Sequence, residues 1–227
     1  MDSSWQELRR RAEHWVRQLW PAQDCRSLIF RLLADLQPRP PDAPVLVQTG
    51  CGPATPALAA VADRVGAVLY CCEADGDKIA ALQAADGSAL GDVLFLRGDS
   101  LEELARIAAR HERVDFALLG SAPSATHTLH EFFALEARLG PGARVLIDEA
   151  ALPGARLALR HCRRGKLLVP YLLASPVWRV AAHPRVGESM VSAVHDRVGA
   201  RADASYEDPS YVDRWLAQRG GALRPIS

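Results

Sequence analysis

The stretch that decides the fold is Val45-Leu46-Val47-Gln48-Thr49-Gly50-Cys51-Gly52-Pro53-Ala54-Thr55. A short apolar run, rich in valine, gives way to two glycines one residue apart, and an alanine-rich helical pattern follows from Thr55 to Arg64. Strand, tight turn and helix is the local context of a ligand-cradling Gly-rich loop. Gly50 permits the sharp turn, and Gly52 lets the backbone approach a ligand with no Cβ in the way. A bare G-x-G also suits a turn that binds nothing, so the rest of the chain decides between these readings.

Downstream, the same alternation repeats. Apolar runs at 67–72, 93–96, 114–119 and 144–147 alternate with helical patterns near 77–85, 101–110 and 129–139. Short continuous apolar strands separated by helices define βαβ units, with a parallel sheet covered on both faces. Right-handed crossovers make that sheet doubly wound. Val177 to Ala182 and Ser189 to Val194 are also strand-like, but the gap between them is too short for a parallel crossover. They are expected to pair as an antiparallel hairpin, completing seven strands. The apolar run Leu167 to Leu173 fits neither pattern clearly.

Upstream, Trp5, Leu8, Ala12, Trp15, Val16 and Leu19 recur at helical spacing, and Pro21 stops that helix. A second helix is expected over Cys25 to Leu36. Pro38, Pro40, Pro41 and Pro44 then form a stiff connector. The expected organisation is a helical segment with connector over 1–43, an α/β domain over 44–196, and a polar tail with a short helix over 197–227.

Composition bounds the function. The 227 residues carry 27 Lys+Arg against 27 Asp+Glu, a zero balance that argues against a nucleic-acid footprint. No apolar run approaches the roughly 20 residues of a membrane span, and the Arg-rich amphipathic start is not a secretory leader. Five cysteines, none in a C-x-x-C pair, read as reduced thiols of a cytoplasmic protein. H-E-x-x-H, G-x-S-x-G and G-K-[ST] elements are absent, leaving zincin, α/β-hydrolase and P-loop chemistries without support.

Two acids raise the Gly-rich loop above a bare turn. Glu73 ends the second strand, 21 residues beyond Gly52, where a carboxylate can accept both hydroxyls of a ribose. Asp99, in Gly98-Asp99-Ser100, follows the third strand at the sheet's carboxyl edge and could face an adenine amino group. Asp99 also has the place of an N-cap before Leu101-Glu102-Glu103.

With these residues in hand, the chain from about Val45 to Val194 resembles the class I S-adenosylmethionine-dependent methyltransferases. The resemblance rests on Gln48, Gly50, Gly52 and Ala54, on Glu73, on Gly98-Asp99-Ser100, on Gly140-Pro141-Gly142-Ala143 before the fifth strand, and on Asp148 after it. The closing hairpin separates it from a dinucleotide-binding Rossmann domain, whose sixth strand is parallel. The resemblance implies a Rossmann-like, doubly wound seven-stranded sheet ending in an antiparallel hairpin strand and preceded by two N-terminal helices. It implies S-adenosylmethionine as cofactor, held by Gln48, Gly50, Cys51, Gly52, Glu73, Ala74, Asp99, Ser100 and Gly120. Within the class, Gly98 to Glu149 looks most like small-molecule O-methyltransferases.

The departures matter too. Gln48 stands where the class has an acid. Metal-dependent relatives end the fourth strand with an Asp, where this chain has Leu119-Gly120-Ser121. Because a hard cation needs several oxygen ligands, no catalytic metal is expected. Base candidates at the carboxyl edge are His127, His130, Asp148 and Glu149, with His127 and Asp148 taken as the catalytic pair. Ser121-Ala122-Pro123-Ser124 lacks the Pro-Pro-Tyr pattern of nucleic-acid and amide methylation. The expected acceptor is therefore a small hydroxylated molecule. A methyltransferase-like binding or scaffold protein that has lost catalysis is the alternative. Trp5, Trp15 and Trp20 on the N-terminal helices could cover the acceptor pocket, form a homodimer surface, or pack against the sheet.

Overall fold

The computed structural model describes residues 25–38, 42–150, 164–183 and 190–196. The helix expected before Pro21 and the short helix of the polar tail lie outside these residues, as do Trp5, Trp15 and Trp20. In chain order the elements are α1 (Cys25–Leu32), β1 (Val45–Thr49), α2 (Thr55–Val65), β2 (Val68–Glu73), α3 (Gly76–Leu90), β3 (Leu94–Arg97) and α4 (Ser100–Arg110). They continue with β4 (Phe116–Leu119), α5 (Ala125–Glu136), β5 (Arg144–Ile147), α6 (Gly165–Ala174), β6 (Trp178–His183) and β7 (Met190–His195).

The seven strands form one sheet in the order β3-β2-β1-β4-β5-β7-β6. β1 pairs in parallel with β2 and β4, placing Thr49 beside Cys72 on one side and Leu119 on the other. The parallel set therefore ends at one edge, where Gly50, Ala74, Gly98, Gly120 and Asp148 begin the connections. β7 lies antiparallel between β5 and β6, as the short gap in the sequence requires.

Both sheet faces are covered. Val45 and Val47 of β1 look into a core with Leu104, Phe132, Leu135, Leu168 and Trp178, against α4, α5 and α6. Leu46 faces the other way, into a core with Leu28, Ile29, Leu58, Val61, Phe116 and Leu146, against α1 and α2. Each such side chain, when fully buried, contributes on the order of 1.5–3 kcal/mol, which is why the central strands tolerate apolar residues at every position. Phe132 anchors the first core, with its ring 5.8 Å from that of Tyr171 and 5.7 Å from that of Trp178, edge-on in each case.

Three local differences from the sequence reading bear on the site. α5 begins at Ala125, four residues before the expected start, because the Ser124 hydroxyl accepts from the His127 N–H and caps it. His127 is thus in the first helical turn, and His130 is already in the helix rather than at its start. The unplaced run Leu167 to Leu173 is helix α6, buried over Leu168, Val169, Tyr171 and Leu172. α1 ends at Leu32 rather than Leu36, and Leu33 and Leu36 continue its buried stripe from a turn.

Candidate functional site

At the carboxyl edge of the parallel strands, Gly50 turns the chain with φ +78°. A Cβ there would lie 2.6 Å from the Gly120 carbonyl oxygen, so the turn after β1 and the turn after β4 touch backbone to backbone. Gly52 is different: a Cβ would meet nothing within 4 Å. Its lack of a side chain leaves open space beside the loop, the property a ligand-cradling backbone needs.

Glu73 closes the loop from the neighbouring strand. Its Oε2 accepts from the Cys51 N–H at 3.0 Å and from Lys78 Nζ at 2.7 Å, and its Oε1 accepts from the Asp75 N–H at 3.1 Å. Asp75 caps α3 by accepting from the N–H groups of Asp77 and Lys78, which sets the turn from which the lysine reaches back. Burial pushes the Glu73 carboxyl up, but the Lys78 ammonium and the two N–H donors outweigh it and hold the carboxyl below its usual range. Burial pushes the Cys51 thiol up to about 11, with the Glu73 charge adding to the effect.

Glu73, Ala74, Lys78, Gly98, Asp99, Ser100, Ser121, Ala122 and His127 line one cavity of about 280 Å³, floored by Cys72. The structure thus brings Glu73, Ala74, Asp99, Ser100 and His127 to one wall system, with Gly50, Cys51 and Gly120 in the adjoining turns. Asp99 has both expected features: it borders the cavity, and it caps α4 by accepting from the Leu101 N–H at 2.8 Å. Gln48 is 1% exposed and donates through Nε2 to the Gly50 carbonyl at 2.7 Å, bracing the turn from beneath. Gln48, Gly52 and Asp148 are not among the residues lining this cavity.

Behind His127 lies a polar cluster that sequence reading missed. Glu131, 0% exposed, accepts from Thr49 Oγ1 at 3.1 Å, Ser100 Oγ at 2.6 Å and Ser121 Oγ at 2.5 Å. Ser100 Oγ also lies 2.8 Å from His127 Nε2, which is itself 3.4 Å from Glu131 Oε1. The available signal was the i, i+4 spacing of His127 and Glu131, visible only once the helix is known to begin at Ala125.

On the far side, Arg164 gathers the connections after β4 and β5. Its guanidinium donates to the carbonyls of Ser121 and Ala122 and lies 2.8 Å from Glu149 Oε2 and 3.9 Å from Asp148 Oδ2. Asp148 also accepts from the N–H of Glu149, whose φ of +49° aims its side chain at the arginine.

No protein-family model and no curated protein matches this chain. Solved structures do. A methyltransferase of Podospora anserina with bound SAH (S-adenosylhomocysteine) superposes with a TM-score of 0.56 at 16% identity, covering 81% of this chain and 86% of that one. An O-methyltransferase of Bacillus cereus in complex with SAH gives 0.51 at 15% identity, covering 82% and 97%. The methyltransferase MycE of the mycinamycin biosynthetic pathway, with Mg, SAH and mycinamycin VI, gives 0.51 at 17% identity, covering 85% and 54%. The architecture is accordingly that of the Rossmann-like S-adenosylmethionine-dependent methyltransferases. More narrowly, it is a fold that O-methyltransferases share, with the antiparallel β7 inserted beside β5.

Proposed function

We propose that this chain binds S-adenosylmethionine at the carboxyl edge of its sheet and transfers the methyl group to a hydroxyl of a small molecule. The observation that carries the reading is the placement of Glu73, Asp99, Ser100 and His127 around one cavity beside the open Gly52 loop. The residues suit the cofactor. Glu73 offers a fixed carboxylate for ribose hydroxyls, and Gly52 leaves room for a ligand against the backbone. Ala74 and Asp99 supply a small side chain and an acceptor on the same wall, where an adenine would lie. The three fold relatives named above were solved with SAH.

When bound, the cofactor supplies an electrophilic sulfonium methyl. The chain's residues then have two tasks: aligning the acceptor oxygen with that methyl, and taking its proton. With the cofactor bound, His127, the imidazole on the cavity wall, would take the proton of the acceptor hydroxyl. Asp148, the residue after β5, lies outside the lining of that cavity and faces Arg164 and the Glu149 N–H, so the proton is assigned to His127 alone.

We infer transfer without a metal. MycE is a fold relative with bound Mg, but here the turn after β4 offers Gly120 and Ser121 in place of a carboxylate. The two acids after β5 already face a cation, the Arg164 guanidinium. The balanced charge and the small cavity favour a small acceptor over nucleic acid, and no helix among the described residues is long and apolar enough to cross a membrane. A cytoplasmic place fits the buried, reduced thiols. The test is turnover of S-adenosylmethionine with phenols, catechols and polyketides, read as the mass gain of one methyl. Cofactor binding with no turnover across such a screen would favour the scaffold alternative.

A further inference from the structure

The cluster behind His127 is an unusual investment for a structural brace. A side chain with 0% exposure carries an acid, and three hydroxyls from three different elements (Thr49 of β1, Ser100 of α4, Ser121 after β4) point at it. Burying a carboxylate costs several kcal/mol unless its oxygens are all satisfied, and here donors fill both of them. Ser100 and Ser121 of the cluster line the cavity, and Ser100 also touches His127 on its wall.

Proton counting fixes how that contact runs. An ionised carboxylate only accepts, and a serine hydroxyl has one proton to give. With the Ser100 proton committed to Glu131 Oε1 at 2.6 Å, Ser100 Oγ can only accept from His127 Nε2 at 2.8 Å. His127 must then carry its hydrogen on Nε2. Within the described residues the polar contacts of its ring run through Nε2, so in the neutral ring Nδ1 carries the lone pair.

We propose that Glu131, acting through the Ser100 hydroxyl, locks His127 in the tautomer whose Nδ1 is free to take the acceptor's proton. Glu131 is then a positioning residue, set one helical turn behind the base and out of reach of either substrate. Ser100 is more than a wall of the cofactor site, because its hydroxyl is the link between the two. During transfer the proton moves from the acceptor oxygen to Nδ1, and the imidazolium so formed is stabilised by the buried carboxylate at the other end of the chain. This role rests on the methyl-transfer reading, whereas the tautomer does not.

The test replaces Glu131 with its isostere. In Glu131→Gln, the orientation leaving fewest polar atoms unpaired turns the amide NH₂ toward Ser100 and Ser121 and leaves the amide oxygen for Thr49. Ser100 then accepts from the amide and gives its own proton to His127 Nε2, which moves the ring hydrogen to Nδ1. Nitrogen-15 NMR of neutral imidazoles, with His127 assigned by its loss in His127→Asn, reads this directly. The expected result is Nε2–H in the native chain and Nδ1–H in Glu131→Gln, with SAH affinity by calorimetry changed less than about twofold. Persistence of Nε2–H in Glu131→Gln overturns the proposal. Should that variant fail to fold, Ser100→Ala is expected to relax His127 to a mixture of tautomers, and a single unchanged tautomer there overturns it equally. Failure of the native chain to bind SAH would instead remove the methyl-transfer reading, and with it the catalytic meaning of a tautomer the spectra still show.

Discussion

Glu73 Oε2 lies 3.0 Å from the backbone nitrogen of Cys51, so the acid that ends β2 holds the Gly-rich loop that follows β1. The same oxygen receives Lys78 at 2.7 Å. One carboxylate thus shapes the loop, stays ionised, and keeps one acceptor site of Oε1 unfilled. Replacing Glu73 with Ala is expected to weaken SAH binding by about 10- to 100-fold, the worth of hydrogen bonds to a charged group. Unchanged affinity in calorimetry would refute the ribose assignment.

The two glycines of the loop are expected to fail differently. Gly50→Ala forces a Cβ to 2.6 Å from the Gly120 oxygen at a φ of +78°, and neither backbone can give way. Strain and clash together are expected to cost about 2–4 kcal/mol in denaturant unfolding. Gly52→Ala meets nothing within 4 Å, so its stability is expected to stay within about 0.5 kcal/mol while SAH binding falls. A Gly52→Ala variant that binds SAH as the native chain does would place the ligand elsewhere.

The thiols of Cys51 and Cys72, pushed up by burial to about 11 and about 12, and that of Cys71, pushed higher still, carry almost no thiolate near neutrality. They are expected to resist iodoacetamide at about pH 8 in the folded chain and to react on unfolding. Rapid labelling of Cys51 in the native state would show that the loop activates it.

Glu136 is held above the usual carboxylate range by burial, with the hydrogen bond from Tyr171 Oη at 2.6 Å opposing the shift. A carboxyl with a raised folded pKa binds its proton more tightly when folded. The associated stability is present below the ordinary carboxylate range and is lost as pH rises through the folded value. Glu136→Gln removes that loss, so its Tm is expected to exceed the native value at pH 7 and to approach it near pH 4. An equal shift at both pH values would mean that the effect is packing, not charge.

Magnesium is expected not to bind at the ends of β4 and β5, where Arg164 faces Glu149 and Asp148. A calorimetric titration of the protein with Mg²⁺ should show no stoichiometric site, and EDTA should leave turnover intact. Stoichiometric Mg²⁺ binding, or loss of activity in EDTA, would overturn the metal-free reading.

The sheet and the Gly-rich turn after β1 were legible in the sequence because their signals are local. A strand such as Val45-Leu46-Val47, a glycine pair, and acids at strand ends can each be recognised without knowing what packs against them. The short gap before Met190 likewise forced an antiparallel hairpin. The residues that were missed depend on tertiary placement. Ala125-Thr126-His127-Thr128 has no large apolar residue to reveal helical periodicity, so the start of α5 went unseen, and with it the pairing of His127 with Glu131. Leu167 to Leu173 is apolar around most of its circumference, so no polar face marked it as a helix. Lys78 and Arg164 reach their partners only through the cap on α3 and the approach of α6 to the β4 turn.

The central claim is a cofactor site built on Gly50, Gly52, Glu73 and Asp99, and calorimetric titration of the native protein with SAH tests it most directly. One site per chain, weakened in Glu73→Ala and in Gly52→Ala, is the predicted result. No heat of binding for either SAH or S-adenosylmethionine would contradict the account.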